Sequence, residues 1–100
     1  MKTVPLCLIT VVTESILKER LIQVIQDCGS RGHTITNAEG EGCRHRRVGE
    51  ILGDNIRLET IVSEEVADRI LQVLSTDYFD RYAVIAYQSS VSVVRGEKYV

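Results

Sequence analysis

Three of the chain's twelve lysine and arginine residues fall within four positions, in the run Gly40-Glu41-Gly42-Cys43-Arg44-His45-Arg46-Arg47. Arginine presents a planar fork of donors that matches phosphate or carboxylate oxygens two at a time. Glycines at 40 and 42 remove side chains, so main-chain N–H groups can approach an anion. A phosphate-cradling loop needs both features. The same composition also makes a solvated, charged loop, and a GxG followed by arginines does not separate the two readings. In an extended run side chains alternate in direction, so Arg46 is expected to point away from the side taken by Arg47.

The other residues able to do chemistry are few. Cys43 sits beside arginines, which can lower a thiol pKa, so a redox role stands against an inert loop thiol. Cys7 and Cys28 fall at apolar positions, where burial is the expectation. The three cysteines form no CxxC pair, and neither His33 nor His45 has a partner at ligand spacing, so no metal is expected. No Ser-His-Asp set and no facing pair of carboxylates can be placed, so the chain reads as a non-enzyme. Tyr78, Phe79, Tyr82 and Tyr87 read mainly as structural, with stacking on a base as the alternative use.

Bulk properties bound the rest. One hundred residues make one domain, here 1–100, and a chain so short is often marginal alone, which favours an oligomer. A composition of 44% hydrophobic and 26% charged residues is that of an ordinary globular protein. A net charge of −2 gives no reason to expect nucleic acid as a partner. No apolar run approaches the roughly 20 residues of a membrane helix. The start Met1-Lys2-Thr3-Val4-Pro5 lacks the pattern of a secretory signal, and the odd cysteine count suits reduced thiols, so the expected location is the cytoplasm.

The elements that must position the loop follow from periodicity. Val4 to Val12 is a short, β-branched apolar run, the pattern of a strand buried on both faces. Thr13 reads as an N-cap with Glu14 in the first turn, opening a helix whose apolar positions are Ile16, Leu17, Leu21, Val24, Ile25 and Cys28 and which Gly29 ends. His33 to Ala38 is a second strand. Glu39 to Asp54 holds four glycines and three arginines, and loops of that length tend to be functional or disordered. Asn55 to Val62 is a third strand. Ser63 caps a second helix carrying Glu64 and Glu65 in its first turn. Tyr82 to Tyr87 is a fourth strand, Val91 to Arg95 a short fifth, and Gly96 to Val100 a tail. The order β-α-β-β-α-β predicts an α+β, ferredoxin-like split βαβ sandwich with both helices on one face of an antiparallel sheet. Strands one and four are apolar on both sides, and a large exposed apolar face usually marks an interface, so the sheets are expected to pack together in an oligomer.

Several of these stretches resemble one family. Gly32-His33-Thr34-Ile35-Thr36 followed by Gly40-Glu41-Gly42 resembles the second-strand signature of PII signalling proteins. The run from Gly40 to Arg47 is similar to the start of the T-loop in the PII-like branch tied to bicarbonate transport and carboxysomes. Asn55-Ile56-Arg57-Leu58-Glu59 is similar to that branch's third strand, and the block from Tyr78 to Tyr87 to its turn and fourth strand. The resemblance spans nearly the whole chain. It implies a homotrimer with adenine nucleotides in the clefts between subunits and a T-loop at about 39–54 that reports occupancy to a partner. By the same resemblance Thr34 touches the nucleotide, and Gly40, Gly42, Arg44 and Arg47 hold phosphates. Arg46 is an additional contact, and Leu58, Tyr82, Ala83 and Val84 belong to the neighbouring side of the cleft.

Departures from the family pattern refine the expectation. The turn before the fourth strand is shortened to Asp80-Arg81 and has no lysine for ATP phosphates, which favours ADP, AMP or cyclic AMP. The T-loop has no tyrosine for a modifying enzyme. The implied function is adenylate sensing, with bicarbonate as a further ligand, to regulate inorganic-carbon acquisition through a membrane transporter or a carboxysome-related protein. The alternative is a general PII-like nucleotide sensor acting on another transporter or enzyme, nitrogen regulation included. Two rivals of the same element order have less support. An acylphosphatase-type enzyme needs an anion cradle straight after strand one, where Thr13-Glu14 stands. An RNA-binding sheet needs aromatics on its central strands, and Val4–Val12 and Asn55–Val62 have none.

Overall fold

The computed structural model describes residues 1–40 and 54–100. Its elements run β1 (Val4–Glu14), a 3-10 turn (Ser15–Leu17), α1 (Lys18–Cys28), β2 (Thr34–Ala38), β3 (Asn55–Val62), α2 (Glu64–Asp77), β4 (Ile85–Val93) and a second 3-10 turn (Gly96–Lys98). The four strands form one antiparallel sheet in the order β2-β3-β1-β4. This is the expected ferredoxin-like α+β arrangement. Alternation along the central strands decides its layers. Ile9 and Val11 of β1 and Leu58 and Val62 of β3 face the helices. They close against Leu17, Leu21 and Ile25 from the first helical segment and Ala67, Ile70 and Leu74 from α2. Each large side chain buried in this way is worth about 1.5–3 kcal/mol relative to exposure.

Local chemistry sets the helix ends. Ser63 caps α2 as expected: its Oγ accepts from the Val66 N–H at 3.3 Å. Gly29 ends α1 at φ 119°, a left-handed conformation that glycine takes without a Cβ penalty. Arg69 of α2 then donates to the Cys28 carbonyl at 2.8 Å, placing a cation at the negative end of α1. The Cys28 thiol is buried, and burial pushes its pKa up, with Arg69 opposing and Asp27 reinforcing the rise. Cys7 is only half-buried.

Three expectations need correction. Thr13 does not cap α1. It is a buried strand residue, because pairing of Thr13 with Ile56 and Glu14 with Asn55 carries β1 two positions further. Tyr82, Ala83 and Val84 precede β4 instead of opening it, since the ladder ends where Val12 meets Ile85. Val91 and Val93 belong to that same strand, which runs through Gln88-Ser89-Ser90 without a break, so the separate fifth strand falls away. The tail is also structured: Gly96 lies so close to β1 that a Cβ there would stand 2.8 Å from a Val4 methyl.

The second face of the sheet carries Leu6, Leu8 and Val12 of β1, Ile61 of β3, and Ile85, Tyr87 and Val91 of β4, by the register of the ladders. In the single chain Ile85 is 55% and Tyr87 51% exposed. No helix among the described residues covers this face.

Candidate functional site

The ends of the strands gather the candidate residues. Ala38 pairs with Asn55, Asn55 with Glu14, and Val12 with Ile85. The exit of β2, the entry of β3, the end of β1 and the entry of β4 therefore lie at one end of the sheet. Both the Gly/Arg loop and the Tyr82–Val84 segment spring from that end. Of the loop, Gly42, Cys43, Arg44, His45, Arg46 and Arg47 lie outside the described residues.

The described candidates divide between the two edges. Thr34 is exposed at the start of β2 and pairs with Glu59. Gly40 follows that strand, exposed, with no described atom within 4 Å of where a Cβ would stand. Tyr82, Ala83 and Val84 lead into β4 at the other edge. With β3 and β1 between the edges, three strand spacings of about 4.8 Å put the two groups at least roughly 14 Å apart, and Thr34 is offset further along the strands. One chain does not bring them together. Leu58 is elsewhere again: it is fully buried on the helix side of β3, between Val11 and Ile35, and offers no side-chain surface to a ligand.

The segment at the β4 edge is held in place by several bonds. The Tyr82 N–H donates to the Tyr78 carbonyl at 2.9 Å, and the Val84 N–H to the Tyr82 carbonyl at 3.0 Å. The Thr13 hydroxyl donates to the Ala83 carbonyl at 3.0 Å. Arg20 of α1 donates to the Tyr82 hydroxyl at 3.0 Å. The rings of Tyr78 and Tyr82 stand 5.7 Å apart at 40°, a tilted aromatic contact. Tyr82 and Val84 pack partly on the core, whereas Ala83 is exposed. Thr13 and Arg20 were not legible as parts of this site, because their partners lie 70 and 62 residues away.

Around the other edge, the loop leaving α1 is closed by hydroxyls. Ser30 Oγ and Thr60 Oγ1 are 2.6 Å apart, and both lie within 3.0 Å of the Gly32 carbonyl. Two protons serve three contacts, so one hydroxyl donates to the carbonyl and the other to its neighbour. This triad, two buried hydroxyls on the carbonyl of an exposed glycine, fixes the approach to Thr34. Among the described residues no group of three or more His, Cys, Asp or Glu side chains is placed to hold a metal. No helix there is long and apolar enough to cross a membrane.

The family model for nitrogen regulatory protein P-II matches residues 6–98. Among solved structures, the chain is similar to one described as a PII-like signaling protein from Thermus thermophilus. The identity is 59%, all of both chains is covered, and the TM-score is 0.87. It also shares its fold with CPII from Thiomonas intermedia. The structure of CPII bound to ADP and bicarbonate is 22% identical, with a TM-score of 0.86 over 99% of this chain and 98% of that one. The structure bound to ADP, AMP and acetate is 20% identical, with a TM-score of 0.85 over 99% and 98%. Two independent likenesses, one to the family over 6–98 and one at 59% identity over the full length, lead to the same place: the chain belongs to the nitrogen regulatory protein P-II family.

Proposed function

We propose that this protein is a homotrimeric, non-catalytic cytoplasmic regulator that binds ADP or AMP in the clefts between subunits. Cyclic AMP falls in the same ligand class, and bicarbonate is a further ligand. The observation that carries the reading is the division of Thr34 and Gly40 from Tyr82–Val84 onto opposite sheet edges. Only a neighbouring chain can supply the missing half of the cleft. The uncovered apolar face supports the same assembly, since patches of that kind mark interfaces. CPII, which shares the fold, has been seen with ADP, AMP and bicarbonate, which supports the ligand class. Within the cleft, Thr34, Gly40, Gly42, Arg44 and Arg47 act from one subunit, with Arg46 as an accessory, and Tyr82, Ala83 and Val84 act from the next. The T-loop then carries the state of the cleft to a membrane transporter or a carboxysome-related protein in inorganic-carbon acquisition. The description of the family as nitrogen regulatory favours a second reading, a general nucleotide sensor acting on another transporter or enzyme.

Calorimetry with ADP, AMP, cyclic AMP and ATP tests the ligand. ADP or AMP is expected to bind at least as tightly as ATP, because the turn at Asp80-Arg81 has no lysine for a third phosphate. Tight ATP binding with none of ADP or AMP reverses the assignment. Bicarbonate added to the sample is expected to shift ADP affinity, and an unchanged titration removes it as a ligand. Light scattering on the same samples is expected to give three 11.2 kDa chains, about 34 kDa, and a stable monomer sinks the shared cleft.

A further inference from the structure

We infer that the β1–α1 junction, through Thr13 and Arg20, is the positioning element of the ligand cleft: it fixes the Tyr82–Val84 segment that one subunit offers to the next. The inference rests on the ligand reading proposed above. Thr13 is a buried threonine whose hydroxyl has a specific use. It donates to the carbonyl of Ala83, an exposed residue between half-buried Tyr82 and Val84, at 3.0 Å. Arg20, one helical turn past Ile16, reaches across to the Tyr82 hydroxyl at 3.0 Å. The Tyr82 carbonyl accepts from Val84 and the Ala83 carbonyl from Thr13, so two of the three carbonyls of this segment are taken. The same junction also holds the other flank of the site. The Ser15 N–H donates to the Asp54 carbonyl at 2.8 Å, at the residue where the chain returns into β3. Residues 13–20 thus tie together the entry of β4 and the entry of β3.

The job falls to the β1–α1 junction because of what it braces. The segment between α2 and β4 packs on the core through Tyr78, Phe79, Tyr82 and Val84, but Asp80, Arg81 and Ala83 are exposed. A turn of that kind samples several conformations unless outside bonds select one, and a ligand that needs one conformation loses affinity by the fraction of time it is absent. A hydroxyl-to-carbonyl bond from a buried strand residue and a guanidinium-to-phenol bond from a helix supply that selection. Neither Thr13 nor Arg20 need touch the ligand.

Amide hydrogen exchange and calorimetry with ADP on the full chain test the idea. The variants are Thr13→Val, Arg20→Gln, Tyr82→Phe and the Arg20→Gln/Tyr82→Phe double. In the absence of nucleotide, exchange at the Tyr82 and Val84 amides is expected to speed up about three- to tenfold in each single variant, the range for losing one ordinary hydrogen bond. The double should equal the singles, since both remove the same bond. An additive double shows Arg20 acting on something other than the Tyr82 hydroxyl and overturns its role. Unchanged exchange in Thr13→Val and Arg20→Gln overturns the inference whether or not nucleotide binds. Should Thr13→Val fail to fold, exposed Arg20 carries the test alone. ADP affinity is expected to fall in the same variants, by at most the same three- to tenfold, and Arg20→Lys to recover part of it. Variants that loosen the segment yet bind ADP like the parent sever its link to the ligand. A parent protein that binds no adenine nucleotide overturns the proposed function, while the exchange rates still decide the positioning role.

Discussion

Replacing Arg44 or Arg47 by alanine is expected to weaken ADP binding by roughly 10- to 150-fold. An anion taken out of water between two subunits must be matched by charge, because an unpaired buried charge is costly. Hydrogen bonds to charged groups contribute about 1.5–3 kcal/mol each, and 1.4 kcal/mol is about tenfold in affinity. Lysine at either position should restore only part of the loss, since it keeps the charge and loses the two-pronged donor. Arg46→Ala is the internal comparison and is expected to lose less. The trimer should persist in all of these variants, because the apolar sheet face that would form its core is formed by β1, β3 and β4. Calorimetric titration with ADP reads the effect. If Arg44→Ala and Arg47→Ala both bind like the parent, the Gly/Arg run is only a solvated loop and the phosphate site is elsewhere.

Leu58→Ala is expected to cost about 2–5 kcal/mol of stability while leaving ADP affinity of the folded protein unchanged. Leu58 has no exposed surface and stands at the centre of the layer between sheet and helices. Removing its branched end leaves a cavity among Val11, Ile35 and the helix side chains that the sheet cannot close without giving up its register. Denaturation in urea reads the loss, at one protein concentration because apparent stability depends on assembly. Leu58→Met, which nearly conserves volume, should cost less than about 1.5 kcal/mol. A variant of normal stability with weakened ADP binding would restore Leu58 to the cleft and remove it from the core.

The contrast between Ser63 and Thr13 shows which signals are legible in the sequence. Both are hydroxyl residues followed by an acidic one and then an apolar helical pattern. Ser63 caps its helix because β3 ends at Val62 and nothing else claims its oxygen. Thr13 does not, because two further pairs with β3 hold it in the sheet and Ala83 takes its proton. The deciding partners are far along the chain, and no window of local sequence contains them. The same holds at β4. Gln88-Ser89-Ser90 reads as a break, since these residues have little β preference, yet they pair with Ile9, Leu8 and Cys7 on a central strand that overrides it. The core-facing side chain of Leu58 was not legible for a related reason. Its resemblance to a strand that borders the cleft fixed its position in the strand, while the side of the sheet it faces depends on register with β1. The apolar faces of both helices, the end of α1 at Gly29, the cap of α2 and the third strand with its bounds were legible because each rests on periodicity or a cap within one segment, and the fold class followed from their order.

The place of β1 in the sheet has a consequence for how the chain comes together. The first of the four described strands in chain order is a central one, flanked by β3 on one side and by β4, the last of the four, on the other. While the chain grows from its N-terminus, one edge of Val4–Val12 has no partner until Ile85–Val93 has been added. The loop that this pairing must close is most of the chain long, and such non-local pairing is slow to form. In that interval an apolar strand with an open edge is a template for other copies of itself. The two earliest partners available, α1 and then β3, cover one face and one edge of it. Synthesis that stalls before β4 therefore leaves an apolar strand with one edge open, and the last of the four described strands to emerge is the one that protects the first.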